Sequence, residues 1–167
     1  IDVLSHLFSI GFNLRTVNKF TNIRINLKQK KILNKLMSAS QECYFKGVSV
    51  VFAKTETEEY MEGLALITHK LIEIVNSDII FVLVKMKNRI YVVGRSNRNS
   101  VNVGEILKTL GGGGHSQAAS AVVRKLSLWD TEQKIRQALE KHIKLETLAK
   151  DIMTSPVKTL DINTTIE

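Results

Sequence analysis

Cysteine and proline each occur once in these 167 residues, as Cys43 and Pro156. A single thiol excludes an internal disulfide framework and fits a reducing cytoplasm. No apolar run approaches the roughly 20 residues that a membrane-spanning helix needs, so no membrane partner is expected. The first residues show no secretory signal, and the chain opens on Ile1 rather than Met, as an excised segment does. Acidic residues are also few: 16 Asp and Glu stand against 24 Lys and Arg, a formal net charge of +8. That balance favours polyanionic partners and steers them electrostatically, although a solvated basic face with no ligand gives the same count.

Dense catalytic motifs are missing as well. Hydrolytic Mn²⁺ or Mg²⁺ sites need clustered carboxylates and histidines to hold the metal and activate water. Here Asp2, Asp78, Asp130, Asp151 and Asp161, like His6, His69, His115 and His142, are scattered. No Gly-x-Ser-x-Gly elbow and no Walker loop occurs. The expectation is a binding part with no catalytic residue and no metal ligand of its own.

What the chain does have is the run Gly111-Gly112-Gly113-Gly114-His115-Ser116-Gln117-Ala118-Ala119. Without Cβ atoms such a backbone takes positive φ and lets a ligand approach closely. Val103, Ile106, Leu107 and Leu110 precede it at helical spacing, which places Gly111 just past a helix end. Ala121-Val122-Val123 follows as a strand. The expected order is helix, glycine turn, a short turn begun by His115, then strand. Successive N–H groups in such a turn can form an anion nest, with His115 beside it as a further donor. The bland alternative is a flexible turn. Upstream, Arg95 and Arg98 leave a strand in a wholly polar segment, and each offers a planar fork to phosphate oxygens.

The remaining pattern is α/β: a mixed β-sheet of about four to five strands covered by helices, with an N-terminal helical connector. Apolar stripes mark short helices before residue 26, and Asn26 reads as the N-cap of a helix to Ala39 with Leu33, Leu36 and Met37 as its face. Its other side carries Lys28, Lys30, Lys31 and Lys35, which with Arg15, Lys19 and Arg24 either meets a nucleic-acid backbone or is an ordinary exposed face. Gly47–Ala53 reads as a strand, and Thr57-Glu58-Glu59 as an acidic helix start leading to Asn76. Ile79–Val84 and Ile90–Gly94 form a hairpin about the polar turn Lys85–Arg89, apolar enough for burial on both faces. Asp130 is expected to cap the last helix, with Trp129 as a hydrophobic staple on Ile135 and Leu139. His69 and His142 read as surface or boundary residues.

The order Gly-Gly-Gly-His followed by two alanines resembles the signature of the C-terminal, substrate-binding domain of DHH-family phosphoesterases. Gly94-Arg95-Ser96 is similar to that family's phosphate-binding Arg-Ser pair. Ser120 departs from the glycine the family usually has there. The resemblance covers roughly residues 40–145. It implies that Gly112, Gly113, Gly114 and His115, with Arg95, Ser96 and Arg98, grip nucleotide or nucleic-acid phosphate, while Mn²⁺ or Mg²⁺ sits in a separate catalytic domain of the parent. His115 then either pairs with phosphate as imidazolium, donates one hydrogen bond as neutral imidazole, or caps the glycine turn.

On this reading residues 1–40 are the tail of the catalytic domain and a connector, and 41–146 the binding domain. Residues 147–167, with Asp151-Ile152-Met153-Thr154, resemble the opening of a CBS domain. That succession resembles long bacterial proteins ending in a tRNA nucleotidyltransferase, poly(A)-polymerase-like part, and implies RNA as partner. Two alternatives stand beside it: part of a stand-alone phosphodiesterase for oligonucleotides, cyclic dinucleotides or phosphoadenosine phosphate, and a non-catalytic module sensing adenylate. The oligomeric state is open, a dimer included.

Overall fold

The computed structural model describes residues 25–143 and Met153. The expected helices before residue 25 and the CBS-like segment lie outside the described residues, apart from Met153. Helix α1 (Leu27–Ser38) starts at Asn26, whose side chain accepts from the Gln29 N–H at 2.9 Å while Gln29 Oε1 accepts from the Asn26 N–H at 3.0 Å. This reciprocal cap satisfies donors that the first helical turn leaves free. Its buried face is Ile32, Leu33 and Leu36; Met37, expected on that face, is exposed.

Six strands follow: β1 (Ser40–Phe45), β2 (Val48–Thr57), β3 (Ile79–Met86), β4 (Arg89–Ser96), β5 (Gly113–Gly114) and β6 (Ala118–Val123). They make one mixed sheet in the order β1-β2-β3-β4-β6-β5, parallel only between β2 and β3. Helix α2 (Leu64–Val75) carries the crossover between those two. The α/β class and the mixed sheet are as expected. The strand count is higher because β1, with its polar sequence, and the two-residue β5 carry no apolar run that marks them.

Side chains alternate across a strand, so each strand feeds two cores. Phe52, Phe81, Leu83, Val92 and Ala121 pack beneath α3 (Val103–Lys108) and α4 (Leu128–His142). Val51, Ala53, Ile80, Val82 and Val84 pack beneath α1 and α2. The continuous apolar run of β3 thus reflects burial on both faces. On the α1/α2 side the cover stops at β4. Val122 and Ser120 of β6 are exposed there, and this open half-face is where the candidate site lies.

Four local expectations change. β2 runs on to Thr57, and α2 begins only at Leu64, after Gly63 at φ 79°; the acidic residues therefore lie in the strand end and the loop. Ser127, not Asp130, is the N-cap of α4, and Asp130 is the reciprocal partner three residues on. Trp129 is 64% exposed and staples nothing. The hairpin turn is only Lys87-Asn88, because Met86 pairs with Arg89.

Candidate functional site

The site is a matter of register. Across β4 and β6, Arg95 faces Ala118, Val93 faces Ser120 and Tyr91 faces Val122. β5 adds Gly113 opposite Ser120 and Gly114 opposite Ala119. His115 and Ala118 exchange backbone hydrogen bonds of 2.8 and 3.3 Å, closing the turn over Ser116 and Gln117. Strand alternation then sets Arg95, Ala118 and His115 in one row on the open face, and Val93, Ser120 and Gly113 in the next. Adjacent strands lie about 4.8 Å apart, so Arg95 and His115 start about 10 Å apart with only the Ala118 methyl between them. A shallow cavity of about 200 Å³ results, lined by Val93, Arg95, Gly113, Gly114, Ala118 and Ser120 among others.

The electrostatics of that cavity rest on Arg95. Its Nε is buried, with no hydrogen-bond partner among the described residues. A buried donor left unmade costs roughly 1–3 kcal/mol. An anion in the cavity would meet the guanidinium, which offers it charge-assisted hydrogen bonds.

The glycine loop is held from behind. Gly111, at φ 74°, donates its N–H to Lys108 O (2.9 Å), and Gly112 to Leu107 O (3.0 Å), the pair of bonds that closes a helix on a left-handed glycine. The Val103 N–H binds Ser116 O at 2.9 Å, tying the turn to the start of α3. Gly112 and Gly114 must lack side chains for internal reasons: a Cβ would strike Ser120 O and Ala121 at the first, and Ala118 O and Ala119 at the second. At Gly113 a Cβ would meet nothing within 4 Å.

These bonds redistribute the expected donors. The Gly112 N–H is already used. Since His115 and Ala118 form a hydrogen-bonded pair, alternation makes Gly113 and Ser120 the next one. Only the Gly114 N–H points outward from the sheet edge, so the three glycine donors do not form one free nest.

Ser96 and Arg98 are not brought to Arg95. Ser96 is buried and faces the other side of the sheet, where its hydroxyl donates to Arg98 O (2.9 Å) and accepts from the Arg98 N–H (3.1 Å). The Arg98 guanidinium pairs with Asp78 at 3.0 Å, and Asp78 also accepts from the Ser49 N–H at 3.1 Å. The polar segment after β4 is thus fastened to the β2–β3 end. Gly94 owes its lack of a side chain to Phe81, whose ring a Cβ would meet at 2.9 Å. Sequence reasoning missed Ala118, Ser120 and Val93 as the floor; only the strand pairing exposes them. Ser120 is exposed on the open face, so the serine does not disturb the backbone there.

Among the described residues no three His, Cys, Asp or Glu side chains cluster as metal ligands, so the donors present do not fit a Mn²⁺ or Mg²⁺ centre. No described helix is long and apolar enough to cross a membrane.

The fold and the glycine hairpin define a class. A family model described as the DHHA1 domain matches residues 46–145, and the chain belongs to that family. Over 162 residues, 97% of this chain and 18% of the relative, it is 32% identical to the A-adding tRNA nucleotidyltransferase of Geobacter sulfurreducens. The enzyme of the same name from Aquifex aeolicus is 27% identical over 165 residues, 98% of this chain and 20% of the relative. The chain therefore spans about a fifth of these relatives. Among solved structures it resembles an exopolyphosphatase-related protein from Bacteroides fragilis, with TM-score 0.66 and 18% identity over 83% of this chain and 42% of that one. It also resembles the C-Ala domain of Aquifex aeolicus alanyl-tRNA synthetase, with TM-score 0.51 and 17% identity over 60% of this chain and 98% of that one. At these identities the likeness is one of fold.

Proposed function

We propose that this chain is the substrate-binding module of a metal-dependent DHH phosphoesterase part, within a longer tRNA nucleotidyltransferase-like protein. It holds a nucleic-acid or nucleotide phosphate on the Gly-Gly-Gly-His loop, between Arg95 and His115. The observation that carries this reading is the Nε of Arg95, buried with no hydrogen-bond partner among the described residues, beside the cavity floor of Ala118. The Gly114 N–H and the His115 ring complete the donors, and Gly113 leaves room for the phosphate itself. The names of the two nucleotidyltransferase relatives favour RNA as the polymer. Mn²⁺ or Mg²⁺ belongs to a catalytic domain outside this chain, and the Asp151-Ile152-Met153-Thr154 segment to an adjoining CBS domain, in the cytoplasm.

Fluorescence anisotropy with a 5′-phosphorylated RNA oligonucleotide tests the reading. Removing one charge-assisted hydrogen bond costs about 1.5–3 kcal/mol, roughly ten- to a hundredfold in affinity. Arg95→Ala and His115→Ala should each weaken binding by that order. Unchanged affinity in both would reduce the glycine loop to a turn.

A further inference from the structure

The open face does not end at the phosphate cavity. Along β4 the alternation that places Arg95 on this face also places Tyr91, half-buried, and Arg89, exposed, there, with Val93 buried between them. Six residues separate Arg89 from Arg95, about 20 Å at the strand rise, longer than one nucleotide bridges. At the far end Tyr60 meets Tyr91 edge-on, with ring centroids 5.7 Å apart and planes at 61°. Tyr60 is 55% exposed, and Val122, opposite Tyr91 on β6, is 48% exposed. Tyr60, Tyr91, Lys87 and Arg89 line a second cavity of about 390 Å³ beside the hairpin turn, with no carboxylate among its described lining residues. The nearby Glu56 and Glu59 are paired with Lys85 and Lys28 and do not line it.

From this we infer a second subsite: a single-stranded RNA tract runs down the open half-face over β6, stacking a base on the Tyr60–Tyr91 pair and laying a further phosphate against Arg89 and Lys87. The inference rests on the phosphate reading above, which sets the other end of the tract at Arg95. Two features select a nucleic-acid strand over other occupants. The exposed ring of Tyr60 and the half-buried ring of Tyr91, flanked by cations, combine the stacking platform and the electrostatic groove that bind single strands. The platform is also continuous with the Arg95 cavity through Val122 and Ser120, exposed beside β4 on β6, so one extended chain can reach both. A duplex keeps its bases stacked on one another and gains nothing from the tyrosines.

The test compares ligand lengths on the whole 167-residue chain. Anisotropy, with unlabelled competitors, gives affinities for adenosine 5′-monophosphate, a 5′-phosphorylated oligoadenylate tetramer and a blunt RNA duplex. The parent chain should bind the tetramer at least tenfold more tightly than the mononucleotide. Tyr60→Ala and Arg89→Gln, both at exposed positions, should each cost the tetramer about five- to fiftyfold and leave the mononucleotide within twofold. Arg95→Ala should weaken both single-stranded ligands. The inference is overturned if Tyr60→Ala and Arg89→Gln bind the tetramer as the parent does while Arg95→Ala still weakens the mononucleotide; the face then serves another surface, and the phosphate reading survives. It is also overturned if the duplex binds as tightly as the tetramer. Loss of the Arg95→Ala effect on the mononucleotide would instead remove the phosphate reading, and this inference with it.

Discussion

Arg95 and Ala118 stand directly opposite each other across β4 and β6, a guanidinium beside a single methyl group. Any larger residue at 118 would fill the gap between Arg95 and His115. Any shift of register by one would send Arg95 into the core under α3 and α4. The cavity is therefore a product of pairing rather than of any one side chain. That register is pinned by the Ser96 N–H to Gln117 O bond (3.0 Å) and by the closed turn at Ser116 and Gln117.

The three glycines of the loop should separate by role. Gly112→Ala drives a methyl into Ser120 O and Ala121, overpacking that costs about 1–3 kcal/mol. Gly114→Ala is similar, with the added strain of φ 148°. Gly113→Ala meets nothing within the chain and should stay within about 0.5 kcal/mol of the parent. Urea unfolding of the three variants checks the ranking. In the binding assay Gly113→Ala should still lose affinity, since its methyl enters the cavity.

Arg98 belongs to the scaffold in this structure. Its ion pair with Asp78 is about a third exposed, so Arg98→Ala should cost no more than about 1 kcal/mol. Its affinity for a 5′-phosphorylated oligonucleotide should stay within twofold of the parent. A tenfold loss would mean that Arg98 leaves Asp78 for the ligand.

How much of this was legible before the structure depends on burial. The hairpin β3–β4 and helix α1 declared themselves, because Ile79–Val84 is apolar on both faces and Asn26 caps an evident stripe. Polar or featureless elements did not. β1 reads Ser-Gln-Glu-Cys-Tyr-Phe and takes its place through backbone pairing with β2, which composition does not report. Ser127 and Asp130 cap the same helix reciprocally, so sequence alone could name either as first. At the site, the Arg95 and His115 positions could be singled out from residue type. That Ser96 faces away follows from strand alternation, and that Arg98 is held by Asp78 depends on a contact 20 residues distant in sequence.

Acid should expose the anchor of α4. Glu132 is buried and bonded to Lys54 and to Arg136. Burial pushes its carboxyl up, but the two cations outweigh burial and hold it below its ordinary value of 4.5. A carboxyl lowered in this way contributes stability that is fully present above that ordinary value and is lost as pH falls through the folded one. Glu132→Gln should destabilise the chain by about 3 kcal/mol at pH 7, with the gap to the parent closing in acid. Unfolding free energies measured from pH 7 down to pH 3 decide this; a gap independent of pH would mean the charge is not what matters.

Cys43 should react slowly. Burial raises its thiol above the ordinary value, and the neighbouring Arg136 offsets this only in part. The thiolate is the reactive form, so alkylation by iodoacetamide at pH 7.5 should run several-fold slower than for an unstructured thiol and reach that rate in denaturant. Equal rates in the folded and denatured chain would contradict the burial.

Arg95 should show a conflict between stability and binding. Its buried Nε, without a hydrogen-bond partner among the described residues, is a cost to the folded chain. Arg95→Met keeps an aliphatic stem and removes that donor. Replacing the unmade hydrogen bond by an apolar group should leave the chain as stable as the parent or up to about 1 kcal/mol more stable. The same change removes the planar fork, so affinity for a 5′-phosphorylated oligonucleotide should fall ten- to a hundredfold. Arg95→Lys distinguishes charge from shape. It retains the cation without the fork, and should recover part of the affinity, most of it lost again at high salt. Thermal unfolding and anisotropy on the same three samples decide the matter. If Arg95→Met unfolds well below the parent, the guanidinium is a structural strut, and its place beside Ala118 then needs no ligand to explain it.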